Sequence, residues 1–197
     1  DVLIVSDEIH SDFVWGDNKH TVFASLGADY AQNCVVCTAP SKTFNIAGLQ
    51  VSNIFIPNTK LRRTFQHEVA AAGYSQLNTL GLVACEAAYR YGEDWLAQVK
   101  AYIEANIHFL SSYLAKNLPQ LKLLAPQGTY LVWLDCSALG LTAEEREQWL
   151  LHKAHLWLDG GGIFGPEGQS FERINVACPR STLLQGLEQL KRAVDNL

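Results

Sequence analysis

The chain has 197 residues, of which 48% are hydrophobic and 18% charged, so a sizeable core can form and disorder is not expected. A net charge of −5 argues against a nucleic-acid partner, and the longest basic run is the pair Arg62-Arg63. No apolar stretch approaches the roughly 20 residues that a membrane-spanning helix needs. We therefore expect a soluble, cytoplasmic protein with neither nucleic-acid nor membrane partners.

The first half of the sequence predicts strands followed by helices. The runs "VLIVSD", "NCVVCTA" and "GLQVSNIFIP" are typical of buried parallel strands, and Pro57 ends the third. Residues 59–72 and the segment "TLGLVACEAAYRYG" show helical spacing and end before Gly73 and at Gly92. A long helix is predicted over "EDWLAQVKAYIEANIHFLSSYLAKNL". With a rise of about 1.5 Å per residue, it would be roughly 35–40 Å long.

After Pro119 the pattern changes to that of a smaller domain. "LKLLAP", "GTYLVWLDCS" and "ERINVAC" resemble strands, whereas 142–154 and 181–196 resemble helices, the first with a capping box from Thr142. The glycine-rich "DGGGIFGPEG" leads into a strand instead of joining a strand to a helix, so we predict no nucleotide site there. We expect one domain over 1–94 and a second, with the connecting helix, over 95–197.

The five cysteines carry no metal-type spacing. Cys34 and Cys37 form a CxxC, but a strand directs their thiols to opposite faces, whereas a redox or zinc pair needs both sulfurs on one side. We therefore expect free thiols in a reducing compartment and no metal site. The chain also opens inside a strand and contains no methionine, which predicts the C-terminal portion of a longer protein.

The stretch "TAPSKTF" introduces Lys42 directly after the second predicted strand. Open α/β sheets bind ligands at such strand ends, and Asp7 ends the first strand. A lysine and a carboxylate at one crevice suggest pyridoxal phosphate, which bonds to a lysine and needs an anionic partner for its ring nitrogen. Hydroxyls of Thr38, Ser41 and Thr43 could bind the phosphate. A solvated lysine in a surface turn is the alternative at this point.

Longer motifs favour the cofactor. "SDEIHSDFVWGDNKHTVFASL" followed by "TAPSKTFNIAGLQ" resembles the fold-type-I pyridoxal-phosphate enzymes of the class I/II aminotransferase superfamily. "AYRYGEDWL", "GTYLVWLDCS" and "FERINVACPR" are similar to the MalY/PatB-type carbon–sulfur β-lyases, the cystathionine β-lyase-like group. The resemblance implies an α/β fold: part of a large, mostly parallel cofactor-binding sheet and a small C-terminal α/β domain.

The same resemblance implies roles for individual residues. Lys42 would hold the cofactor covalently and then act as the base at the substrate Cα. Asp7 would pair with the cofactor's ring nitrogen, and His10 would hydrogen-bond its 3-oxygen. Arg173 would bind the substrate α-carboxylate through two parallel hydrogen bonds. Gln50 stands where aminotransferases carry a phosphate-binding arginine, which favours the β-lyase group.

Three functions stay open at this stage. The first is β-elimination from L-cystathionine or an L-cysteine-type substrate, giving a thiol, pyruvate and ammonia. The second is transamination, which uses the same residues. The third is an inert or regulatory piece, because the resemblance implies that the other half of the family fold and a second subunit of a homodimer complete the site.

Overall fold

A computed structural model describes residues 2–74 and 76–197. The chain forms two compact units whose boundary lies between Gln98 and Val99. That boundary falls inside one continuous helix, Glu93–Asn117, which also contains the boundary expected after residue 94. The assignment of these units to a large and a small domain stays a prediction.

Among its described residues, the first unit contains a three-stranded sheet and five α-helices, the last of which continues into the second unit. In chain order the elements are β1 (Ile4–Asp7), α1 (Ala28–Ala31), β2 (Cys34–Thr38), α2 (Pro40–Thr43), β3 (Asn53–Phe55), α3 (Thr59–Ala71), α4 (Thr79–Tyr91) and the start of α5 (Glu93–Asn117). β1 and β2 are parallel, as predicted, with Asp7 opposite Cys37. Cys34 and Cys37 both lie on β2 and are free thiols.

The prediction of a third buried parallel strand is wrong. β3 is short, pairs antiparallel with β2, and leaves Ile54 and Phe55 exposed. Parallel neighbours need a crossover of a dozen or more residues, usually with a helix that packs on the sheet. Between β2 and β3 the chain forms only the four-residue α2 and a 3₁₀ turn over Ala47–Leu49, so it returns in the opposite direction.

Helices α3 and α4 begin where predicted, each with an asparagine as N-cap, Asn58 and Asn78. Among the described residues of these two helices, Gly81 alone is buried. A Cβ at Gly81 would lie 2.4 Å from Cγ2 of Val51, so only glycine lets α4 approach the segment after the 3₁₀ turn. Apolar side chains elsewhere on α4, including Leu80 and Val83, are exposed.

The second unit contains the rest of α5 and a four-stranded sheet. Its further elements are β4 (Lys122–Leu123), β5 (Leu131–Asp135), α6 (Ala143–Trp149), β6 (Asp159–Gly160), β7 (Phe171–Asn175) and α7 (Arg180–Val194). The sheet order is β4-β5-β7-β6, and every neighbouring pair is antiparallel. The predicted capping box is present: Thr142 accepts a hydrogen bond from the Glu145 amide, and the Glu145 carboxylate accepts one from the Thr142 amide.

Apolar stripes of α5 and α7 supply much of the second unit's core. The buried members are Ile103, Ile107, Leu110, Leu114, Leu183, Leu187, Leu190 and Ala193. Asn106, fully buried, donates to the carbonyls of Val176 and Cys178 and accepts from Nε of Arg180. These bonds satisfy a polar group that would be costly to bury alone, and they fix the end of β7 to α5.

Together the elements form the predicted mixed α/β architecture. The predicted helix 142–154 is α6 followed by a π-helical turn over Leu150–Ala154, and β6 was not predicted. None of the helices in the described part of the chain is long and apolar enough to cross a membrane.

Candidate active site

Asp7 and Lys42 follow the carboxyl ends of two neighbouring parallel strands. Asp7 is the last residue of β1, and α2, which carries Lys42, begins two residues after β2 ends. Both residues are exposed, and Oδ1 of Asp7 accepts a hydrogen bond of 3.2 Å from the Ile9 amide. Within residues 2–74 and 76–197, no hydrogen bond or ion pair engages the Lys42 amine. The structure confirms that both residues lie at strand ends; their chemical roles stay predictions.

The segment after Asp7 is anchored by the buried carboxylate of Glu8. One oxygen accepts hydrogen bonds from the Ser6 hydroxyl and the Phe23 amide, and the other lies 2.8 Å from Nε2 of His20. Burial raises the pKa of the Glu8 carboxyl, but these hydrogen bonds outweigh it and hold the pKa below its ordinary value. Glu8 therefore fixes the backbone from which Asp7 projects.

The three hydroxyl residues around Lys42 differ in what they can bind. Thr38 and Ser41 are half-buried, consistent with the predicted contact to a phosphate. Thr43 is buried and donates a hydrogen bond of 2.6 Å to Oδ2 of Asp12. The expectation that Thr43 could bind phosphate is therefore wrong, because its hydroxyl joins α2 to the loop after β1.

A cleft of about 430 Å³ opens in the first unit, within the size range of small-molecule sites. Its lining residues are Glu8, Ile9, Ser11, Asp12, Thr38, Ala39, Asn53, Phe55 and Tyr89. At its rim the Asn53 amide donates a 3.4 Å hydrogen bond to the Tyr89 hydroxyl. Burial, and then the negative charges that Cys85 and Asp12 can carry, raise the pKa of Tyr89, so the phenol stays protonated at neutral pH.

His10 and Gln50 occupy turns beside these strands. His10 is half-buried, and its backbone carbonyl accepts a 3.0 Å hydrogen bond from the Phe13 amide. Gln50 ends the 3₁₀ turn in the left-handed conformation, at φ 52°, and its side chain is exposed. The predicted contact of His10 to a cofactor stays a prediction.

Arg173 belongs to the second unit, on β7 between β5 and β6. Its Nη2 donates a hydrogen bond of 2.7 Å to Oδ2 of Asp159, and its Nε donates one of 3.2 Å to the same oxygen. The guanidinium lies over the ring of Phe164, 4.5 Å from the centroid. Phe164 in turn meets Trp133 edge to face, with centroids 5.2 Å apart. Arg173 is therefore held by a carboxylate along one edge and by an aromatic ring on one face.

The residue before Arg173 faces the protein interior. Nε of Arg146 donates a 2.7 Å hydrogen bond to Glu172, and both side chains are almost fully buried. Burial raises the pKa of the Glu172 carboxyl, and the Arg146 guanidinium offsets part of this rise. Since successive strand residues point to opposite faces, the buried Glu172 directs Arg173 to the other face of the sheet.

A family model described as aminotransferase class I and II matches residues 1–190. The chain belongs to this family. Two curated relatives are similar over 98% of the chain: cystathionine beta-lyase PatB of Bacillus subtilis, 45% identical, and protein MalY of Escherichia coli, 32% identical. The chain spans about half the length of these relatives, 50% and 49%. The recognition of a MalY/PatB-type sequence is confirmed.

Solved structures of the family agree with the fold. Cystalysin from Treponema denticola, which contains a pyridoxal 5′-phosphate cofactor, matches with a TM-score of 0.96 at 38% identity, over 99% of this chain and 50% of its own. The PLP-bound C-S lyase from Staphylococcus hominis matches with a TM-score of 0.86 at 33% identity, over 98% of this chain and 50% of its own. The predicted fold class, part of a fold-type-I enzyme, is confirmed.

Sequence reasoning missed the surroundings of Arg173. Asp159 and Phe164 lie in the glycine-rich segment, for which the sequence predicted no nucleotide site and gave no contact to Arg173. The acidic Asp159 ahead of a glycine has low strand propensity, so no local signal indicates that it forms a two-residue strand beside β7. Only the cross-strand register, Asp159 opposite Arg173, brings the two charges together.

Proposed function

We propose that the full-length gene product is a pyridoxal-phosphate-dependent carbon–sulfur β-lyase. The observation that carries this proposal is the position of Lys42. This exposed residue follows β2, its amine has no partner among the described residues, and the neighbouring parallel strand β1 ends on Asp7. The cystathionine β-lyases and C-S lyases among its relatives support the reaction class. L-Cystathionine or an L-cysteine-type compound is the proposed substrate.

The residues present fit the cofactor. An amine with no partner among the described residues can bond to the aldehyde carbon, and a carboxylate at a strand end can pair with a protonated ring nitrogen. The half-buried hydroxyls of Thr38 and Ser41 can donate to phosphate, and His10 is proposed to donate to the 3-oxygen. When bound, pyridoxal phosphate supplies a ring that withdraws electrons from the substrate Cα.

Each residue then has one task. Arg173 binds the α-carboxylate and orients the substrate. Lys42 would hold the cofactor until the substrate amine binds, and its freed amine would take the proton from Cα. Asp7 keeps the ring nitrogen protonated. The Cβ–S bond breaks with its electron pair leaving on sulfur, and water releases the remaining carbon skeleton as pyruvate and ammonia.

Transamination is the second candidate, because the matched family model is that of the class I and II aminotransferases. The same residues would act: Lys42 would move the Cα proton, and Cβ would keep its sulfur. Products separate the two reactions: free thiol with pyruvate supports the lyase, and glutamate formed from 2-oxoglutarate supports the aminotransferase.

A homodimer in the cytoplasm is the proposed setting. Exposed apolar side chains on α4, such as Leu80 and Val83, support an interface. The free cysteines support a reducing compartment. Because the chain spans about half of its relatives, the piece alone is proposed to be inactive.

Borohydride reduction of the full-length protein with pyridoxal phosphate, followed by peptide mass spectrometry, tests the proposal. We expect the adduct on the peptide that contains Lys42, and none on that peptide in Lys42→Ala. Lys60, exposed on α3, gives a matched control, since Lys60→Ala should keep the adduct. If the unmodified full-length protein carries no adduct on Lys42 after reduction, the assignment as a pyridoxal-phosphate enzyme is wrong.

A further inference from the structure

Three residues form a row across the second unit's sheet. On β7, Arg173 lies opposite Trp133 of β5 on one side and opposite Asp159 of β6 on the other. Directly opposed residues on antiparallel strands have side chains close enough to interact. The sheet itself therefore sets the spacing between the guanidinium and the Asp159 carboxylate, with no need for a flexible loop to bring them together.

The contacts cover the guanidinium asymmetrically. Nε and Nη2 both donate to one oxygen of Asp159, which occupies the side edge of the planar group. Phe164 covers one face. In the part of the chain that the structure describes, Nη1 makes no hydrogen bond. The edge of the guanidinium between Nη1 and Nη2 is therefore the one that a second carboxylate can approach. An arginine can bind a carboxylate along this edge with two parallel hydrogen bonds.

The segment that carries Asp159 is itself held tightly. A Cβ added to Gly161 would lie 2.2 Å from the carbonyl oxygen of Gly168, so the backbones of these glycines are in direct contact. This contact fixes the chain just after β6. Asp159 therefore stands on an anchored strand, and Phe164 lies in the 3₁₀ turn that immediately follows it.

We propose that Asp159 is a positioning residue for the carboxylate-binding arginine: it takes the side edge of Arg173 and aims the Nη1/Nη2 end at the α-carboxylate of the amino-acid substrate. This inference rests on the proposed function, in which Arg173 binds that carboxylate. Asp159 contacts the arginine and not the reacting atoms, so it acts on substrate affinity and leaves the chemical step unchanged.

The opposite possibility is that Asp159 competes with the substrate for Arg173. A competing carboxylate would have to leave before substrate binds, and its removal would then tighten binding. A positioning carboxylate stays in place, and its removal weakens binding because the long side chain loses its fixed orientation. Removal of Asp159 should therefore raise the dissociation constant of the substrate if Asp159 positions Arg173, and lower it if Asp159 competes with the substrate.

The test uses the full-length holoenzyme and two probes that cannot undergo elimination, L-alanine and ethylamine. Both offer an amine, but only L-alanine carries a carboxylate. Dissociation constants are measured from the change in cofactor absorbance. For Asp159→Ala we expect the constant for L-alanine to rise about 5- to 20-fold, a size typical of losing one orienting contact, with that for ethylamine unchanged. Asp159→Asn keeps an acceptor without the charge and should give an intermediate rise.

Asp195→Asn is the matched control, because Asp195 is 54% exposed and pairs with Lys191, compared with 51% for Asp159. This variant should bind both probes as the unmodified protein does. Unchanged or tighter L-alanine binding in Asp159→Ala would overturn the proposal. Unaltered ethylamine binding shows that the variant is folded and loaded with cofactor.

A second variant separates this inference from the proposed function. Arg173→Lys keeps the positive charge but loses the planar guanidinium with its two parallel donors. It should therefore weaken the binding of L-alanine and leave that of ethylamine unchanged. If Arg173→Lys weakens L-alanine binding and Asp159→Ala does not, then only the positioning role of Asp159 is wrong. If Arg173→Lys leaves L-alanine binding unchanged, the assignment of Arg173 as the carboxylate ligand fails with it.

Discussion

The hydroxyl of Thr43 donates a 2.6 Å hydrogen bond to Oδ2 of Asp12, and thereby ties the helix of Lys42 to the loop that follows Asp7. Thr43 is buried, and Asp12 is half-buried at the cleft. Hydrogen bonds to charged groups contribute more than neutral ones, and a partner left without its bond carries the cost of desolvation. This single contact therefore couples two parts of the candidate site.

Replacing Thr43 with Val keeps the shape and removes the donor. We expect the free energy of unfolding to fall by about 1–3 kcal/mol, because Asp12 loses its partner. Thr43→Ser is the control: it keeps the hydroxyl, and the lost methyl group should cost only about 1 kcal/mol. Urea unfolding measures both. A Val variant as stable as the unmodified protein would show that the hydrogen bond contributes nothing net.

The carboxylate of Glu8 should make stability depend on pH in the acid range. Its pKa in the folded protein lies below the ordinary 4.5, so ionised Glu8 stabilises the folded state above about that pH. The contribution is lost as the pH falls below 4.5 and through the lower folded pKa. We expect Glu8→Gln to be less stable than the unmodified protein at pH 7, and the difference to shrink towards pH 3.

Urea midpoints at several pH values between 3 and 7 measure this difference. Glu86→Gln is a suitable control, because it alters an exposed ion pair with Arg90 that water screens. A stability difference between Glu8→Gln and the unmodified protein that stays constant with pH would contradict the prediction.

Two neighbouring glycines should respond differently to the same substitution. At Gly161 a Cβ would lie 2.2 Å from the Gly168 carbonyl oxygen and 2.9 Å from that of Phe171, whereas at Gly160 it would meet nothing within 4 Å. We expect Gly161→Ala to lower the free energy of unfolding by about 1–3 kcal/mol, as overpacked sites do. Gly160→Ala should change it by less than about 0.5 kcal/mol. Equal effects would mean that the close contact of the two backbones does not constrain this segment.

The buried pair Arg146 and Glu172 should be sensitive to the loss of one partner. Arg146→Met leaves a buried carboxylate without its guanidinium, which typically costs about 3–5 kcal/mol. The double variant Arg146→Met, Glu172→Leu removes both charges and should recover most of that loss. Guanidinium unfolding of the two variants tests this; a double variant no more stable than the single one would show that the cost is packing and not charge.

Local patterns predicted the elements that local chemistry determines. The capping box at Thr142, the parallel runs that end on Asp7 and Thr38, and the long α5 all follow from residues within a few positions of each other. Recognisable motifs around Lys42 then indicated the family. These are features for which the sequence signal and the structural cause lie in the same segment.

The direction of β3 and the partners of the site residues could not be predicted in this way. An apolar run such as that before Pro57 gives no information on strand direction, which depends on the connection behind it. The hydroxyl of Thr43 could as well have faced solvent, and its bond to Asp12 joins residues 31 positions apart. Asp159 meets Arg173 only through the register of β6 and β7.

Glu172 and Arg173 are adjacent in sequence, yet one is buried against Arg146 and the other is directed to the opposite face of the sheet. Side chains alternate along a strand, so sliding β7 by one residue against its neighbours would exchange the two. The Glu172 carboxylate would then replace the Arg173 guanidinium on that face, so the face would carry a negative charge in place of a positive one. A one-residue insertion or deletion in β7 would therefore reverse the charge of this face without changing the identity of either residue.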